Sequence, residues 1–313
     1  MRKLSPDIRV LAAGLRFPEG PVSMADGSVL VVEMAGGTLT RIAPDGAVER
    51  IAELGGGPNG AATGADGAVY VANNGGAIRF RDRDGSLVPD YAPDRPPGAG
   101  GSIQWVDLES GTVDTLYEAC DGRRLNAPND LAVAADGSIW FTDFGLVRPR
   151  SVERGGVYWC RPDGSEIREV AFPLDQPNGI GLSPGGDRLY VAETNTGRLW
   201  AWDVAGPGEL VARGRPATAA DATLLADPGR GTRFDSLAID GEGWICVARL
   251  GVGAIVAVAP TGQDDGMDVV AMPDPYTTNI CFGADGRTAY VTLSSTGRLV
   301  SFGWHRPGGA TAF

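Results

Sequence analysis

Apolar runs separated by glycine-containing turns recur along the whole chain. One unit recurs every 40 to 70 residues. It consists of a polar opening, an apolar run, a turn of the DG type and a second apolar run. An Asp-Gly pair between two apolar runs is a strong hairpin signal, so each copy predicts two strands joined by a tight turn. The six copies are FPEGPVSMADGSVLVVE (17–33), GPNGAATGADGAVYVAN (57–73), APNDLAVAADGSIWFTD (127–143), QPNGIGLSPGGDRLYVAE (176–193), RFDSLAIDGEGWICVAR (233–249) and YTTNICFGADGRTAYVT (276–292).

Further short β-rich pieces follow each copy and predict a third and often a fourth strand, as in TLTRIAPDG, GRLWAWD and GRLVSF. Four strands in each of six repeats predict an all-β, six-bladed β-propeller with four-stranded blades. We expect one domain over 1–313, with blades starting near 17, 57, 127, 176, 233 and 276. IRVLAAGL (8–15) is the predicted strand that closes the ring, and the Pro- and Gly-rich residues 89–101 form a predicted insertion loop.

Two other architectures compete with this prediction. A seven-bladed ring with one degenerate blade and a pair of β-sandwiches both supply many short strands. The pattern common to all six copies disfavours the sandwiches.

Charge and composition narrow the class of function. The formal net charge of −12 argues against a nucleic-acid or anionic-membrane partner, since both need clustered Lys and Arg. No 18-residue apolar run and no secretory signal occur, so we expect a cytoplasmic protein with a small-molecule substrate, as a monomer or small homo-oligomer. His305 is the only histidine and Lys3 the only lysine, so carboxylates, amides, arginines and hydroxyls must supply the chemistry.

The repeat also aligns a set of polar residues. The first strand of each propeller blade is innermost, so equivalent positions at its start surround one mouth of the central channel. Counting back from the turns gives Glu19, Asn59, Asn129, Asn178 and Asp235. In the sixth copy the same count gives Thr278, with Asn279 next, so that blade is either shifted or substituted. The residues that follow in the first five copies are Gly20, Gly60, Asp130, Gly179 and Ser236.

Carboxylate and amide oxygens together are the ligands of a hard cation. Ca²⁺ is the first choice, with Mg²⁺ and Mn²⁺ as alternatives and Zn²⁺ less suited to an all-oxygen set. A single PNG or PND is more often an ordinary turn, and we interpret the aspartates of the DG turns as turn formers. Glu19 and Asp235 have no such turn role, and buried charges are paired or bind metals. The sequence therefore predicts a central metal site.

The motifs FPEGP, PNDLAVAADGSIWFTD, PNGIGLSPGGDRLYVAE and FDSLAIDGEGWICVA together resemble the SMP-30/gluconolactonase family, also called regucalcin-like. The resemblance covers nearly the whole chain. It implies one divalent metal held by Glu19, Asn178 and Asp235, with Asn129 as a further ligand or a substrate contact. It also implies hydrolysis of a lactone, a carboxylic ester hydrolase activity of the gluconolactonase kind.

Within this hypothesis a carboxylate must move the proton, because His305 is near the chain end. Asp235 is the preferred combined ligand and base, and Asp130 is the second choice, while Asn129 positions the carbonyl or the water. Asp130 and Ser236 also face the metal in similar bacterial lactonases. Further contacts to the substrate or to the ligands are expected from Ser236, Asn59, Thr278 and Asn279.

One departure from the family pattern concerns the substrate. Ala127 replaces an arginine that sugar-lactone hydrolases often have two residues before the third-blade asparagine, which disfavours a polyhydroxylated lactone. Trp140 and Phe141 are expected in the core, whereas Phe144 and Tyr276 fit either the core or the site. Two other functions stay open: another metal-dependent enzyme, such as a phosphotriesterase, lyase or isomerase, and a non-catalytic calcium-binding propeller.

Overall fold

The strands form six antiparallel blades arranged as a β-propeller. The computed structural model describes residues 2–91, 100–148, 150–229 and 231–309. Blade 1 consists of Pro18–Ser23, Val29–Glu33, Thr38–Ile42 and Val48–Glu53, and blade 2 of Pro58–Thr63, Val69–Asn73, Ser102–Val106 and Val113–Tyr117. Blade 3 consists of Pro128–Val133, Ile139–Asp143, Gly155–Cys160 and Ile167–Leu174. Blade 4 consists of Pro177–Leu182, Arg188–Glu193, Leu199–Gly206 and Thr223–Ala226, with the short strand Glu209–Leu210.

The last two blades contain both ends of the chain. Blade 5 consists of Phe234–Ile239, Ile245–Arg249, Ala254–Val258, Met267–Ala271 and Arg2–Leu4, and blade 6 of Thr277–Phe282, Thr288–Leu293, Arg298–Gly303 and Arg9–Ala13. Each innermost strand begins one residue after its predicted blade start. The predicted six-bladed ring is confirmed, and the predicted closing strand is Arg9–Ala13, antiparallel to Arg298–Gly303. The parallel addition of Arg2–Leu4 to blade 5 was not predicted, and it makes that blade five-stranded.

Aspartates of the DG turns shape the hairpins. Asp26 Oδ1 accepts the backbone N–H of Ser28 at 2.9 Å, and Asp136 Oδ1 accepts that of Ser138 at 3.0 Å. Gly27 follows with φ of +82°, a left-handed conformation that glycine adopts without steric cost. The prediction that these aspartates are turn formers is confirmed.

Hydrophobic cores fill the gaps between neighbouring blades. In the second strand of blade 1, Leu30 and Val32 face blade 2, while Val29 and Val31 face blade 6. Successive side chains of a strand point to opposite faces, so a strand between two gaps must be apolar at every position. This explains why the second strands read as continuous apolar runs. Trp140 and Phe141, both buried, belong to the cores on either side of blade 3, as predicted.

Three small hairpins are inserted between the blade strands. The blade 2 hairpin joins Ile78–Arg83 to Ser86–Tyr91, and the blade 3 hairpin joins Leu146–Arg148 to Ser151–Glu153. Ala119–Cys120 and Arg123–Arg124 form the third. The predicted start of the insertion loop 89–101 is wrong, because the second strand of the blade 2 hairpin continues to Tyr91. This hairpin has six paired positions. Residues 92–99 of that loop lie outside the described residues.

The described chain contains a single short helical segment, the 3-10 turn Ala219–Asp221. No helix in the described ranges has the length and apolar character needed to cross a bilayer.

A buried ion-pair cluster joins the chain ends to blade 5. Arg306 Nε lies 2.6 Å from Asp240 Oδ2, and its Nη1 lies 2.7 Å from Asp268 Oδ2. The guanidinium also lies 4.1 Å from the centre of the Trp244 ring. His305 Nε2 is 3.0 Å from the same Asp268 oxygen, so the only histidine is bound in this cluster.

Replacing Arg306 with Met is expected to destabilise the fold by about 3–5 kcal/mol, because Asp240 would keep a buried and uncompensated charge. Arg2 pairs with the same Asp268, but its side chain is 57% exposed, so Arg2→Ala should cost no more than about 1 kcal/mol. Urea unfolding of the two variants measures the difference. A loss of no more than about 1 kcal/mol for Arg306→Met would show that the cluster contributes little to stability.

Candidate metal and active site

The second residue of every innermost strand lies at the same end of the central channel. We call these six residues the axial ring. All six are buried, and their exposed fractions are 2% for Glu19, 4% for Asn59, 4% for Asn129, 4% for Asn178, 8% for Asp235 and 1% for Thr278. Each strand pairing has a register shift at this point. Such bulges redirect side chains. The sixth innermost strand begins at Thr277, just as the first begins at Pro18. Thr278 therefore occupies the same position as Glu19, so the sixth blade carries a substitution there and is not shifted.

Glycines after three ring residues allow the innermost strands to approach closely. A β-carbon on Gly60 would lie 2.7 Å from Asp130 Cα and 2.8 Å from Asp130 Oδ1. A β-carbon on Gly20 would lie 2.7 Å from the Ala61 nitrogen, and one on Gly179 would lie 2.7 Å from the Asp235 carbonyl oxygen. Contacts under about 3 Å are not tolerated, so no larger residue fits without movement of the backbone.

Three buried carboxylates, those of Glu19, Asp130 and Asp235, repel one another at the axial ring, and the positive charge of Arg233 offsets part of this repulsion at Asp235. Burial, together with the negative charges of Asp235 and Asp130, raises the pKa of Glu19 well above its ordinary value. Burial raises the pKa of Asp130 to about 7 and that of Asp235 to about 7, and repulsion between these two carboxylates contributes to the Asp235 shift. The charged forms are therefore disfavoured until a positive charge joins them.

Asn178 connects two of the predicted ligands. Its Nδ2 donates to Asp235 Oδ1 at 2.5 Å and to Thr194 Oγ1 at 3.1 Å. Its Oδ1 accepts the Ser236 hydroxyl at 3.3 Å. An amide oxygen has two acceptor positions, so one remains for a cation. Ser236 thus lies next to the ring, as predicted.

Two buried oxygens of the axial ring have no hydrogen-bond partner among the described residues. They are Glu19 Oε2 and Asn129 Oδ1. Buried polar atoms are almost always satisfied, and two unsatisfied oxygens beside carboxylates are the kind of ligand that a hard cation binds. No group of three His, Cys, Asp or Glu side chains within the described ranges converges closely enough to hold a metal by itself. A cation here therefore depends on amide oxygens, which the ring provides.

Hydroxyl groups on or directly after the second strands connect neighbouring blades at the ring. Thr142 donates to the Asn178 carbonyl at 2.6 Å, Thr194 donates to the Phe234 carbonyl at 2.7 Å, and Ser294 donates to the Pro18 carbonyl at 2.5 Å. Each bond joins one blade to the innermost strand of the next blade. Sequence reasoning missed these residues, although hydroxyls beside long apolar runs were a visible signal.

Polar residues at the ends of the second strands hold the segments that lead into the ring. Glu33 Oε2 accepts the Arg16 backbone N–H at 2.6 Å, and Glu193 Oε1 accepts that of Asp175 at 2.7 Å. Asp143 accepts the Asn126 and Ala127 N–H groups at 2.6 and 2.9 Å. These carboxylates position the strand starts and were also missed, although each ends a buried strand.

The remaining predicted residues surround the ring. Asn279 Oδ1 accepts its neighbour Ile280 N–H at 2.7 Å, so it is occupied by the local backbone. Thr278 Oγ1 lies 2.9 Å from Thr292 Oγ1 and 2.5 Å from Ser294 Oγ. Asn59 and Asn129 line a cavity that also contains Phe144. Phe144 therefore lies beside the ring, where it also belongs to a small buried apolar cluster with Ala77 and Ala127.

The fold and the oxygen-lined ring define a β-propeller with a polar site on its central axis, and similarity to known proteins identifies its family. A sequence model of the family described as SMP-30/Gluconolactonase/LRE-like region matches residues 17–295. The chain belongs to this family, as its motifs indicated.

Known relatives and solved structures agree with this assignment. Gluconolactonase of Zymomonas mobilis subsp. mobilis is 25% identical over 93% of this chain and 80% of its own length. Diisopropyl-fluorophosphatase of Loligo vulgaris is 28% identical over 63% of this chain and 64% of its own. The crystal structure of a calcium-binding protein, regucalcin, from Agrobacterium tumefaciens superimposes with a TM-score of 0.76 at 20% identity, covering 99% of this chain and 98% of that one. This last similarity shows the fold.

Gly60→Ala is expected to destabilise the fold by about 1–3 kcal/mol, because the added methyl group would overlap Asp130. Gly303 is also a strand glycine, but a β-carbon there would meet nothing within 4 Å. Gly303→Ala should therefore change the free energy of unfolding by no more than about 0.5 kcal/mol. Urea denaturation checks both, and tolerance of Gly60→Ala would contradict the close approach of blades 2 and 3.

Proposed function

We propose that the protein is a divalent-metal-dependent hydrolase that opens a lactone. The observation that carries this proposal is the pair of unsatisfied buried oxygens, Glu19 Oε2 and Asn129 Oδ1, in a ring that also contains Asp235. Relatives in this family include a gluconolactonase, which supports hydrolysis of a lactone.

Glu19, Asn129, Asn178 and Asp235 would hold the ion. Their donor atoms are all oxygens, which favours Ca²⁺ and leaves Mg²⁺, Mn²⁺ and Zn²⁺ as alternatives. Two ionised carboxylates would balance its charge. The bound ion would polarise the substrate carbonyl and make a water molecule more acidic.

The chain's own residues divide the remaining work. Asp235 is the preferred base, because its carboxylate lies in the ring beside the proposed metal ligands and the Asn178 amide fixes one of its oxygens. Asp130 is the alternative, since its carboxyl group is also buried, directly follows Asn129 in the chain and is not assigned to the metal. Asn129 would contact the substrate carbonyl or the attacking water. The burial of all these side chains excludes bulk water and strengthens their electrostatic effects.

A phosphotriesterase is the second candidate. The match to diisopropyl-fluorophosphatase favours it, because an oxygen-bound cation can polarise a phosphoryl oxygen as well as a carbonyl oxygen. Hydrolysis rates for a lactone and for diisopropyl fluorophosphate, measured with the same metal-loaded preparation, decide between the two. A higher kcat/KM for the phosphorus substrate would overturn the lactonase proposal.

Calcium is expected to stabilise the folded protein. At a free concentration one hundred times its Kd, a ligand specific to the native state adds about 2.7 kcal/mol to the free energy of unfolding. Glu19→Gln removes a ligand charge and should abolish most of this gain, whereas Glu49→Gln, an exposed residue of the same blade, should retain it. Urea unfolding with Ca²⁺ and with EDTA measures the effect independently of activity. No stabilisation by Ca²⁺, Mg²⁺, Mn²⁺ or Zn²⁺ would contradict a metal site.

Asp235→Asn should lower kcat for lactone opening by about 10²- to 10⁴-fold, the usual contribution of general base catalysis. Asp130→Asn should lower it less, since Asp130 is not assigned to the metal. A pH-stat assay at neutral pH with saturating Ca²⁺ measures both variants. The reverse order would assign the base to Asp130.

A further inference from the structure

A small cavity lies between the axial ring and the blade 2 and blade 3 hairpins. Its volume is about 20 Å³, and it shares Asn59 and Asn129 with the ring. The blade 2 hairpin contributes Ile78, and the blade 3 hairpin contributes Leu146 and Val147. A substrate held at Asn129 would therefore place its nearest substituent in this cavity.

The blade 2 hairpin is anchored on two other blades across the channel mouth. Its Phe80 ring lies 4.6 Å from that of Phe17, which directly precedes the innermost strand of blade 1. The backbone N–H of Leu87 donates to the Ser295 carbonyl at 2.9 Å, beside blade 6. The hairpin thus has contacts that hold Ile78 at the mouth.

Among the described residues, six apolar side chains and the four amides Asn59, Asn74, Asn129 and Gln176 line the cavity. Ala77, Ala127 and Phe144 form a buried apolar cluster separate from the cores between the blades, and Ile78 packs against it. The described residues that line the cavity include no charged side chain. Among its amides, Asn74 Oδ1 already accepts the Gly76 and Ala77 N–H groups at 2.9 and 3.0 Å.

These walls discriminate between two kinds of lactone. A polyhydroxylated ring would bring several hydroxyl groups here, and those that face Ile78, Ala127 and Phe144 would lose their hydrogen bonds to water without gaining new ones. An apolar substituent gains from the same burial. A cavity of about 20 Å³ has room for roughly one group the size of a water molecule or a methyl group.

We propose that the substrate is a lactone whose ring bears a short apolar substituent, held by Ile78, Ala127 and Phe144. This inference rests on the proposed lactonase function and specifies its substrate class. The three residues determine specificity and are not catalytic.

The test compares kcat/KM for γ-valerolactone, which bears one methyl group, with that for D-glucono-δ-lactone, in a pH-stat with Ca²⁺ and an enzyme-free blank. We expect the methyl-substituted lactone to be favoured by about tenfold or more, the scale of one methylene in an apolar pocket. Preference for gluconolactone would overturn this inference and leave the lactonase proposal standing. Hydrolysis of neither lactone would overturn both.

Matched variants test the pocket itself. Ile78→Asn should raise KM for γ-valerolactone by about tenfold and leave KM for gluconolactone unchanged or lower. Val152→Asn also replaces a β-branched residue of a hairpin with asparagine, but Val152 is 55% exposed and lies outside the cavity. This control should change KM for neither lactone. The Ca²⁺-induced stabilisation of each variant confirms an intact fold and ring. Unaltered selectivity in a folded Ile78→Asn would overturn the assignment.

Discussion

The close approach of six innermost strands around one axis is the constraint on which the rest of the structure depends. Backbones pass so near one another that β-carbons on Gly20, Gly60 and Gly179 would lie 2.7 Å from a neighbouring strand. Hydroxyls of the second strands strengthen this arrangement, as Thr142 does when it donates across a blade boundary to the Asn178 carbonyl. At this end of the channel the innermost strands are therefore in close backbone contact.

The same close approach of the strands determines the electrostatic properties of the axial ring. Glu19, Asp130 and Asp235 are brought together where water cannot solvate them, so their pKa values rise. Carboxylates in such a position need a cation or strong donors, and the Asn178 amide supplies one donor to Asp235. The stability of the fold and the affinity of the proposed metal site therefore depend on the same residues.

Much of this arrangement could be predicted from local signals. The DG turns and apolar runs are short-range features, and their repetition revealed both the blades and the register of the ring residues. Thr278 could not be settled in this way, because only the strand pairing shows whether a blade is shifted or substituted. The backbone acceptors Glu33, Asp143 and Glu193 were missed because their partners lie 16 to 18 residues earlier in a neighbouring loop.

The sequence by itself determined the six repeats, the all-β class, the family and the residue types of the axial ring, because each rests on a local pattern that recurs. Only the tertiary structure decided which oxygens are left unsatisfied, that the blade 2 hairpin contacts blades 1 and 6, and that Arg2–Leu4 joins blade 5. These features depend on contacts between segments far apart in the chain. No local pattern records such contacts, since they arise only when the ring closes and the blades pack.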